Sequence, residues 1–343
     1  MPEATESPSQ TSSQPKRAFI RDMLNPANVP MRVLGAYSIS NAQLGKTRSD
    51  KLYLRCLIGD CSGSLPGRMW TIDEAKFREL PTDGFVWLDG TTQVFDGGVQ
   101  LVIQMIKATE PTAEQLRDLM PCSARPADEM FAELATLLGT LKHPAMRDLA
   151  GAFMADEILM DQFKRCPAAK SMHHAYIGGL LEHTLSLVNL ADKICPLYPK
   201  ISRDLVMMGL FLHDIGKTRE LIYDRTFSYS DRGELIGHVV EGAMMLRDKA
   251  QHVMREKGLR FPPGAIGVLE HIILSHHGVP EFGAAKIPAT PEAIMVSILD
   301  NLDAKMNMSL TATRPDHDLP EGGNFTEKLW ALDTKLYRPD PLA

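Results

Sequence analysis

The chain has 343 residues, of which 44% are hydrophobic and 23% charged, and its formal net charge is −6. This length is long for one hydrophobic core, so two domains are expected, and the composition is ordinary for a globular protein. The negative charge disfavours a protein that coats nucleic acid through bulk positive charge, but it is compatible with a local basic groove or a metal site. No apolar run approaches the roughly 18 residues of a membrane-spanning helix, so no membrane partner is expected.

The N-terminal segment is predicted to be disordered over residues 1–18, because it is rich in Ser, Pro, Gln and Thr and has almost nothing to bury. It lacks the basic-then-apolar order of a secretory signal. The cysteines are odd in number, scattered and without a Cys-x-x-Cys pair, which favours reduced thiols in a cytoplasmic protein.

Residues 30–110 predict a small β domain. Segments rich in β-branched and aromatic residues, namely KLYLRCLIGD, GFVWLDGTTQVF and VQLVIQMIKA, alternate with turn signals such as Asp83-Gly84. Regular short strands of this kind indicate an antiparallel barrel or sandwich. A domain of this size with five strands fits a small β-barrel of the OB-fold type. The stretch TIDEAKFREL, which lies between two strands, predicts a short helix.

The first hairpin of this β domain carries a cluster of positive charge opposed only by Asp50. OB-fold barrels often hold single strands with the loop between strands 1 and 2 and with the face of strands 2 and 3. Trp70 would then offer a stacking platform, since base–aromatic stacking is worth roughly 1–3 kcal/mol. The alternative is that Trp70 belongs to the core and the basic loop is only solvated. The candidate nucleic-acid contacts are Lys46, Arg48, Lys51, Arg55 and Trp70.

After a proline-rich linker at residues 111–126, the apolar spacing becomes helical. Seven segments place apolar residues at three- and four-residue steps, which predicts an all-α helical bundle over residues 127–310. Residues 217–232 interrupt this pattern with polar and aromatic residues and favour a loop or small hairpin. The C-terminal tail, residues 311–343, contains one short amphipathic stretch and is predicted to dock on the body.

The helical domain carries histidines and aspartates on or beside its apolar segments. Imidazole nitrogens and carboxylate oxygens are the ligands that borderline divalent metals accept. Taken alone, the pair His213-Asp214 is better explained by a core or capping histidine and a helix cap. Five histidines spread over the predicted helices are too many to be independent core residues, so the series favours a metal site. Its members are His183, His213, Asp214, His238, His276, His277 and Asp300.

The order of these residues resembles the HD superfamily of metal-dependent phosphohydrolases, which has an all-α fold. The motifs GGLLEH, HDIGKTREL, GELIGHVVEG, ILSHHG and ILDNLDAKM follow a barrel that contains GDCSGSLPGRMW. Together they resemble the YhaM family of 3′-to-5′ exoribonucleases, in which an OB-fold domain precedes an HD domain. The resemblance covers residues 30–340.

The resemblance implies two metal ions that share Asp214. The first would be held by His183, His213, Asp214 and Asp300, and the second by Asp214, His238, His276 and His277. Asp303 competes with Asp300 for the last position, one helical turn further on. Asp300 is preferred because it directly follows the apolar run, and Asp303 would then lie behind the ligands or in solvent.

Two divalent ions would suit a phosphodiesterase, because they neutralise the phosphate and lower the pKa of a water between them. Neutral imidazoles are needed as ligands, so activity should fall below about pH 6.5.

Lys217 is the candidate for contacting the scissile phosphate, with a surface lysine as its alternative. His174 is the candidate for meeting the substrate or the leaving oxygen, and Asp214 completes the predicted catalytic set. Weaker candidates for nucleotide contacts are Arg219, Tyr223 and Arg225.

The predicted function is metal-dependent 3′-to-5′ exonucleolytic hydrolysis of single-stranded RNA, with DNA as a further substrate and the barrel holding the strand. The alternatives are a phosphodiesterase or nucleotidase acting on cyclic or mononucleotides, and a nucleic-acid-binding module without activity. Manganese is the first candidate for the metal, and iron, cobalt, nickel and zinc are alternatives. The sequence leaves the oligomeric state open, with a homo-oligomer as one alternative.

Overall fold

A computed structural model of the chain divides into two compact units, Met1–Leu119 and Met120–Ala343. The boundary falls inside the segment predicted as a linker. Most of the predicted disordered head lies outside the described residues, but Arg17 and Ala18 are described and are hydrogen-bonded to the first unit. The structure describes residues 17–47, 50–95, 98–170, 174–223, 227–314 and 323–342.

The first unit is a closed five-stranded barrel in the order β1-β2-β3-β5-β4, in which β3 and β5 pair in parallel and the other neighbours pair antiparallel. This arrangement is consistent with the OB fold and confirms the prediction. Alternate residues such as Leu54, Ile58 and Leu88 point inward and are fully buried, because successive side chains of a strand face opposite sides. The strands are β1 (Arg32–Lys46), β2 (Leu52–Asp60), β3 (Gly63–Met69), β4 (Gly84–Phe95) and β5 (Gly98–Ala108).

Three short helices accompany the barrel: α1 (Ile20–Leu24), α2 (Glu74–Arg78) and α3 (Ala113–Leu119). Helix α2 confirms the helix predicted between two strands. Buried Asp60 ties the N-terminal segment to the barrel, since its Oδ2 accepts hydrogen bonds from the Ile20 N–H at 3.0 Å and from Arg17 at 3.3 Å. Helix α3 occupies part of the predicted linker and is joined to the barrel by the Cys61 N–H, which donates to the Asp118 carbonyl.

The second unit is helical, with one continuous apolar core that includes Phe153, Phe163 and Phe211. The rings of Phe153 and Phe163 both meet Phe211 edge-on at about 6 Å. The longer helices are α4 (Ala127–Gly139), α5 (Pro144–Met154), α6 (Glu157–Arg165), α7 (Gly179–Ile194), α8 (Arg203–Leu212), α11 (His238–Lys257), α12 (Ala265–Ser275) and α13 (Pro291–Thr313).

Two of the seven predicted helical segments are divided in the structure. The segment at residues 145–163 breaks at Asp156, whose side chain accepts the Leu159 N–H at 3.1 Å and so caps α6. The segment at residues 233–250 breaks at Gly237, where φ is +74°, and forms α10 (Asp231–Leu235) before α11 begins. Both breaks follow from local backbone chemistry that the apolar spacing does not record.

The interruption predicted at residues 217–232 contains a short helix, α9 (Lys217–Glu220), and the two-stranded hairpin β6 (Leu221–Ile222) and β7 (Ser228–Tyr229).

In the tail, α13 continues three residues past the predicted boundary. Residues 323–342 carry isolated bridges, such as that between Phe325 and Tyr337, and docking of this tail stays a prediction. Of the helices in the described ranges, none combines the length and the apolar composition needed to cross a bilayer.

Candidate metal centre

Helix α7 and the ends of three other helices bring the five predicted histidines into one cluster, in which His238 and His277 are half-buried and the others are buried. His183 lies on α7, His213 directly follows α8, His238 begins α11, and His276 directly follows α12, with His277 next to it. Ring centroids are 5.3 Å apart for His183 and His213, 5.0 Å for His213 and His276, and 5.2 Å for His238 and His277. The histidines therefore line one continuous site, although up to 94 residues separate them in the sequence.

Asp214 lies at the middle of this cluster and is 3% exposed. Its Oδ2 atom is 3.3 Å from His213 Nε2 and 4.0 Å from His183 Nε2. Its Oδ1 atom is 3.4 Å from His238 Nε2 and 3.5 Å from His276 Nε2. Each carboxylate oxygen thus faces a different group of histidines, which is the arrangement that a bridging ligand requires.

Each histidine hydrogen-bonds through Nδ1 to an oxygen behind it. Carbonyl oxygens and ionised carboxylates only accept, so Nδ1 carries a proton, and Nε2 presents a lone pair whenever the ring is neutral. The five acceptors thereby orient the rings, as partners behind metal ligands commonly do. The Nδ1 contacts are His183 to Asp303 at 2.7 Å, His213 to the Leu210 carbonyl at 2.8 Å, His238 to Glu220 at 2.9 Å, His276 to the Ile273 carbonyl at 2.7 Å and His277 to the Phe282 carbonyl at 2.6 Å.

The residues present fit divalent metal ions. Asp214 Oδ1, His238 Nε2 and His276 Nε2 are buried and make no hydrogen bond within the described part of the chain. Lone pairs that face one another without a donor are costly to bury, and a cation between them removes that cost. Ligand atoms of three groups converge within 4.8 Å: Asp214, His238, His276 and His277 in the first, His183, His213 and Asp214 in the second, and His174, His183 and Asp303 in the third.

Asp300 and Asp303 contact opposite edges of the His183 ring. Asp300 Oδ1 is 3.2 Å from His183 Nε2 and 3.9 Å from His213 Nε2, on the side of the other candidate ligands. Asp303 Oδ2 is 2.7 Å from His183 Nδ1, and Asp303 Oδ1 accepts the Ser186 hydroxyl at 2.5 Å. This geometry favours Asp300 as the ligand and Asp303 as the carboxylate that orients His183.

The charges around His183 favour a cation at this ring. Burial lowers the pKa of His183, but its hydrogen bonds with Asp300 and Asp303 outweigh that effect and raise the pKa to about 9. Burial likewise raises the pKa of Asp300, yet the hydrogen bond from His183 and the charge of His213 hold it well below its usual range. Positive charge, from a proton or from a metal ion, is therefore stabilised between these groups.

Lys217 also belongs to the buried site. Its Nζ donates to Asp214 Oδ2 at 2.6 Å, so the alternative of a surface lysine is wrong. Burial lowers the pKa of Lys217, but the charge of Asp214 outweighs this and raises the pKa, so the side chain is cationic. His174 is buried beside His183, with its Nε2 atom 3.0 Å from Asp303 and its Nδ1 atom 2.8 Å from the Tyr176 hydroxyl.

The predicted nucleotide contacts near the site have different environments. Arg219 Nη1 donates to buried Glu241 at 2.7 Å. The Tyr223 hydroxyl donates to the Gln162 carbonyl at 3.4 Å, and the tyrosine lines a groove of about 550 Å³ between α6 and β6. Arg225 lies outside the described residues.

Several residues that support the site had not been predicted. Glu220 Oε1 accepts both the Nδ1–H and the backbone N–H of His238, each at 2.9 Å. Ser186 holds Asp303 and lies on α7, three residues after His183. The only signals for them are a glutamate that ends HDIGKTRE and a serine at helical spacing, and neither is specific enough to mark an orienting residue.

On the barrel, Trp70 is 45% exposed, so the alternative of a core residue is wrong. Its ring centroid lies 5.6 Å from that of Tyr53, and the Arg68 guanidinium is 5.9 Å from each ring. Arg55 donates through Nε to Gln43 at 3.1 Å. Lys46 pairs with Asp50 at 3.2 Å, Lys51 is exposed, and Arg48 lies outside the described residues.

With this geometry in view, comparison with known proteins identifies the class. Residues 180–305 match the model of the HD domain. This match shows that the chain contains an HD domain, and the histidine and aspartate cluster, which could hold a metal ion, lies within it. The chain is also 30% identical over 309 residues to the 3′-5′ exoribonuclease YhaM of Bacillus subtilis (strain 168), a match that covers 88% of this chain and 93% of the relative. The chain belongs to the YhaM family of 3′-5′ exoribonucleases.

Among solved structures, the chain is similar to a putative aspartyl-tRNA synthetase from Leishmania major Friedlin. The TM-score is 0.23 and the identity is 16%, over 45% of this chain and 35% of the other. A likeness of this size supports no conclusion about fold or function.

Substitution of Asp303 tests whether the carboxylate behind His183 orients a metal ligand. We expect Asp303→Asn to lower the affinity of the purified protein for Mn²⁺ by about 10- to 100-fold, because loss of an orienting partner costs metal sites that much. Isothermal titration calorimetry measures the change. Asp192→Asn is the matched control, since Asp192 lies on α7 and pairs with Arg203 instead. Equal affinity in Asp303→Asn and the control would show that Asp303 does not act on the site.

Proposed function

We propose that the chain is a metal-dependent 3′-to-5′ exonuclease that hydrolyses single-stranded RNA at the site around Asp214. The observation that carries this proposal is the orientation of His183, His213, His238 and His276, whose Nε2 atoms lie within 4.0 Å of the two oxygens of Asp214. His277 belongs to the same group of converging ligand atoms. Membership in the YhaM family and the HD-domain match support the reaction class.

We propose that one metal ion is held by His183, His213, Asp214 and Asp300 and the other by Asp214, His238, His276 and His277. When bound, the two divalent ions neutralise the phosphodiester and lower the pKa of a water between them. Manganese is the first candidate, because mixed imidazole and carboxylate ligands accept it, and iron, cobalt, nickel and zinc are the alternatives.

The remaining side chains bind, orient and exclude water. Cationic Lys217 is held against Asp214 and can reach a phosphate oxygen that enters the site. His174 approaches the site from the side of Asp303, where it can meet the leaving oxygen if its hydrogen bond to Asp303 is exchanged. Phe211 and Ile273 precede His213 and His276 by two and three residues and are buried in the apolar core, which keeps water from that side of the site.

The barrel supplies a surface that suits a single strand. Tyr53 and Trp70 offer aromatic faces, and Arg68 lies beside both rings. Arg55 and Arg68 are paired across β2 and β3 and line a groove of about 270 Å³ on the same face. Aromatic rings interleaved with guanidinium groups bind bases by stacking and phosphates by charge. This surface, with Lys46, Lys51 and Arg48 on the adjoining hairpin, supports RNA as the substrate, and the phosphate and stacking contacts would serve DNA as well.

We place the enzyme in the cytoplasm. No disulfide links the five cysteines, and reduced thiols are usual in that compartment. Burial raises the pKa of Cys56 to about 12, so this thiol stays protonated and inert.

The test of the proposal is a comparison of substrates with the wild-type protein and with Asp214→Ala. Wild type should shorten 5′-labelled RNA one nucleotide at a time in Mn²⁺, whereas Asp214→Ala should release no mononucleotides and still bind the strand. Product sizes on a denaturing gel and anisotropy of labelled RNA measure the two properties. Asp148→Ala is the control, because Asp148 pairs with Lys257 on the surface of the same unit.

The alternative substrates are included in the same comparison. If wild type hydrolyses only cyclic nucleotides or mononucleotides and leaves RNA and DNA intact, the exonuclease proposal is wrong and the phosphodiesterase or nucleotidase alternative holds. If no substrate is hydrolysed with any divalent metal, the chain acts as a binding module.

Trp70→Ala tests the role of the barrel. We expect this variant to bind single-stranded RNA about 5- to 150-fold more weakly, because one stacked base is worth roughly 1–3 kcal/mol. Anisotropy of labelled RNA gives the dissociation constant. Trp330→Ala is the matched control, since Trp330 is 78% exposed and lies in the C-terminal segment. An unchanged dissociation constant for Trp70→Ala would remove Trp70 from the binding surface.

A further inference from the structure

Two arginines beside the metal centre are held by one buried carboxylate. Glu241 lies on α11 and is 2% exposed. Its Oε1 accepts from Arg219 Nη1 at 2.7 Å, and its Oε2 accepts from Arg232 Nε at 2.7 Å and lies 2.6 Å from Arg232 Nη2. The arginine side chains remain half exposed, at 50% and 45%. We call these three residues the Arg219–Glu241–Arg232 cluster.

The cluster adjoins the candidate metal ligands through the chain and through hydrogen bonds. Glu241 follows the candidate ligand His238 by one turn of α11, a rise of about 5 Å. Arg219 follows Lys217 by two residues and precedes Glu220, which accepts the Nδ1–H of His238.

The backbone directly before α9 approaches the first residue of α11 closely. A Cβ atom at Gly216 would lie 2.1 Å from the His238 carbonyl oxygen, so only glycine permits the contact. This contact keeps the cluster next to the metal centre.

The cluster carries more positive charge and more donors than its internal contacts use. Two guanidinium groups and one carboxylate leave a net charge of +1. Burial raises the pKa of Glu241, but the hydrogen bonds from Arg232 and Arg219 outweigh that effect and hold the pKa below its usual value, so the carboxylate stays ionised. Each guanidinium has five N–H donors. Contacts among the described residues use one donor of Arg219 and two of Arg232. The remaining donors are held at fixed positions on a half-exposed surface.

We propose that the Arg219–Glu241–Arg232 cluster binds a backbone phosphate of the nucleic-acid strand, adjacent to the phosphodiester that is cleaved at the metal centre. This inference rests on the proposed function and adds a second phosphate site to it. Guanidinium groups match the geometry of phosphate oxygens, and Glu241 orients them before the substrate arrives, which reduces the entropy lost on binding. A backbone phosphate is present in both RNA and DNA, so this site would bind either strand.

An alternative role for the cluster is to fasten the segment of α9, β6 and β7 to α11. Ser230 already contributes to that attachment, because its N–H donates to the Glu220 carbonyl and its hydroxyl to the Arg219 carbonyl, each at 2.8 Å. The neighbouring acids Asp231 and Glu234 lower the net charge of the surface but make no ion pair with the cluster among the described residues. A purely structural role predicts equal losses on every substrate, whereas a phosphate site predicts losses only on substrates with more than one phosphate.

Kinetics on long and minimal substrates separate the two roles. The variants are Arg232→Gln and Arg219→Gln, and the substrates are ten-nucleotide RNA and DNA of one sequence and bis(p-nitrophenyl) phosphate, which has a single phosphodiester. We expect each variant to raise KM for both oligonucleotides by about 10-fold, the value of a hydrogen bond to a charged group. Their kcat values, and the rate on bis(p-nitrophenyl) phosphate, should stay within about twofold of wild type.

The salt dependence of oligonucleotide binding is a second, independent test of the phosphate site. Loss of one phosphate contact should reduce the slope of log Kd against log salt by about 0.7 for a single strand. Arg247→Gln is the matched control, because Arg247 lies in the middle of α11 and its guanidinium likewise pairs with a glutamate, Glu270 of α12. An unchanged KM and salt slope in both variants would overturn the inference, and so would a parallel loss on bis(p-nitrophenyl) phosphate.

Failure of the exonuclease proposal can be told apart from failure of the phosphate-site proposal. If wild type releases no nucleotides from RNA or DNA, the exonuclease proposal is wrong whatever the variants do. Anisotropy of the labelled oligonucleotides then still decides the phosphate site, since Arg232→Gln must bind them more weakly than Arg247→Gln for the inference to stand.

Discussion

The structure depends on the hydrogen bonds that fix the back of each histidine ring. Three rings are held by backbone carbonyls and two by carboxylates, so all five turn the same nitrogen, Nε2, toward the centre. Because Asp214 presents one oxygen to each group of rings, the centre is a concentration of lone pairs and negative charge with Lys217 as its nearest cation. Such a site is stable when it holds cations and costly to bury when it does not.

The helical fold places these groups by using helix ends. His213 and His276 each follow the last turn of a helix. Carbonyl groups in the last turn of a helix have no backbone N–H partner within that helix, so each ring can hydrogen-bond to one of them. His238 is the first residue of α11, and its backbone N–H, which has no carbonyl partner within the helix, donates to the Glu220 side chain. The same feature of helices, unpaired backbone groups at their termini, therefore positions candidate ligands from three separate helices. The apolar core holds those termini together, and it does so with residues that have no chemical role.

The two domains and the candidate ligands could be predicted from the sequence. The groups that orient the ligands could not, because their role depends on contacts that form only in the folded chain. The five-stranded barrel and the helical unit followed from apolar spacing, and the candidate ligands stood out by their chemistry and order. The orienting carbonyls of Leu210, Ile273 and Phe282 could not be seen, because every residue has a carbonyl. Asp300 and Asp303 lie one turn apart on a single helix, so spacing alone could not show which edge of His183 each one faces. Glu220 and Glu241 could not be singled out, because the residues that they contact are brought to them only by folding.

The central claim is that Asp214 bridges two cations between two groups of histidines. Anomalous diffraction from crystals of the protein soaked in Mn²⁺ tests it most directly. Two anomalous peaks are predicted, one beside His183 and His213 and the other beside His238, His276 and His277, with an Asp214 oxygen contacting each. Absence of any peak at Asp214, or a single peak contacted by only one of its oxygens under saturating metal, would contradict the account.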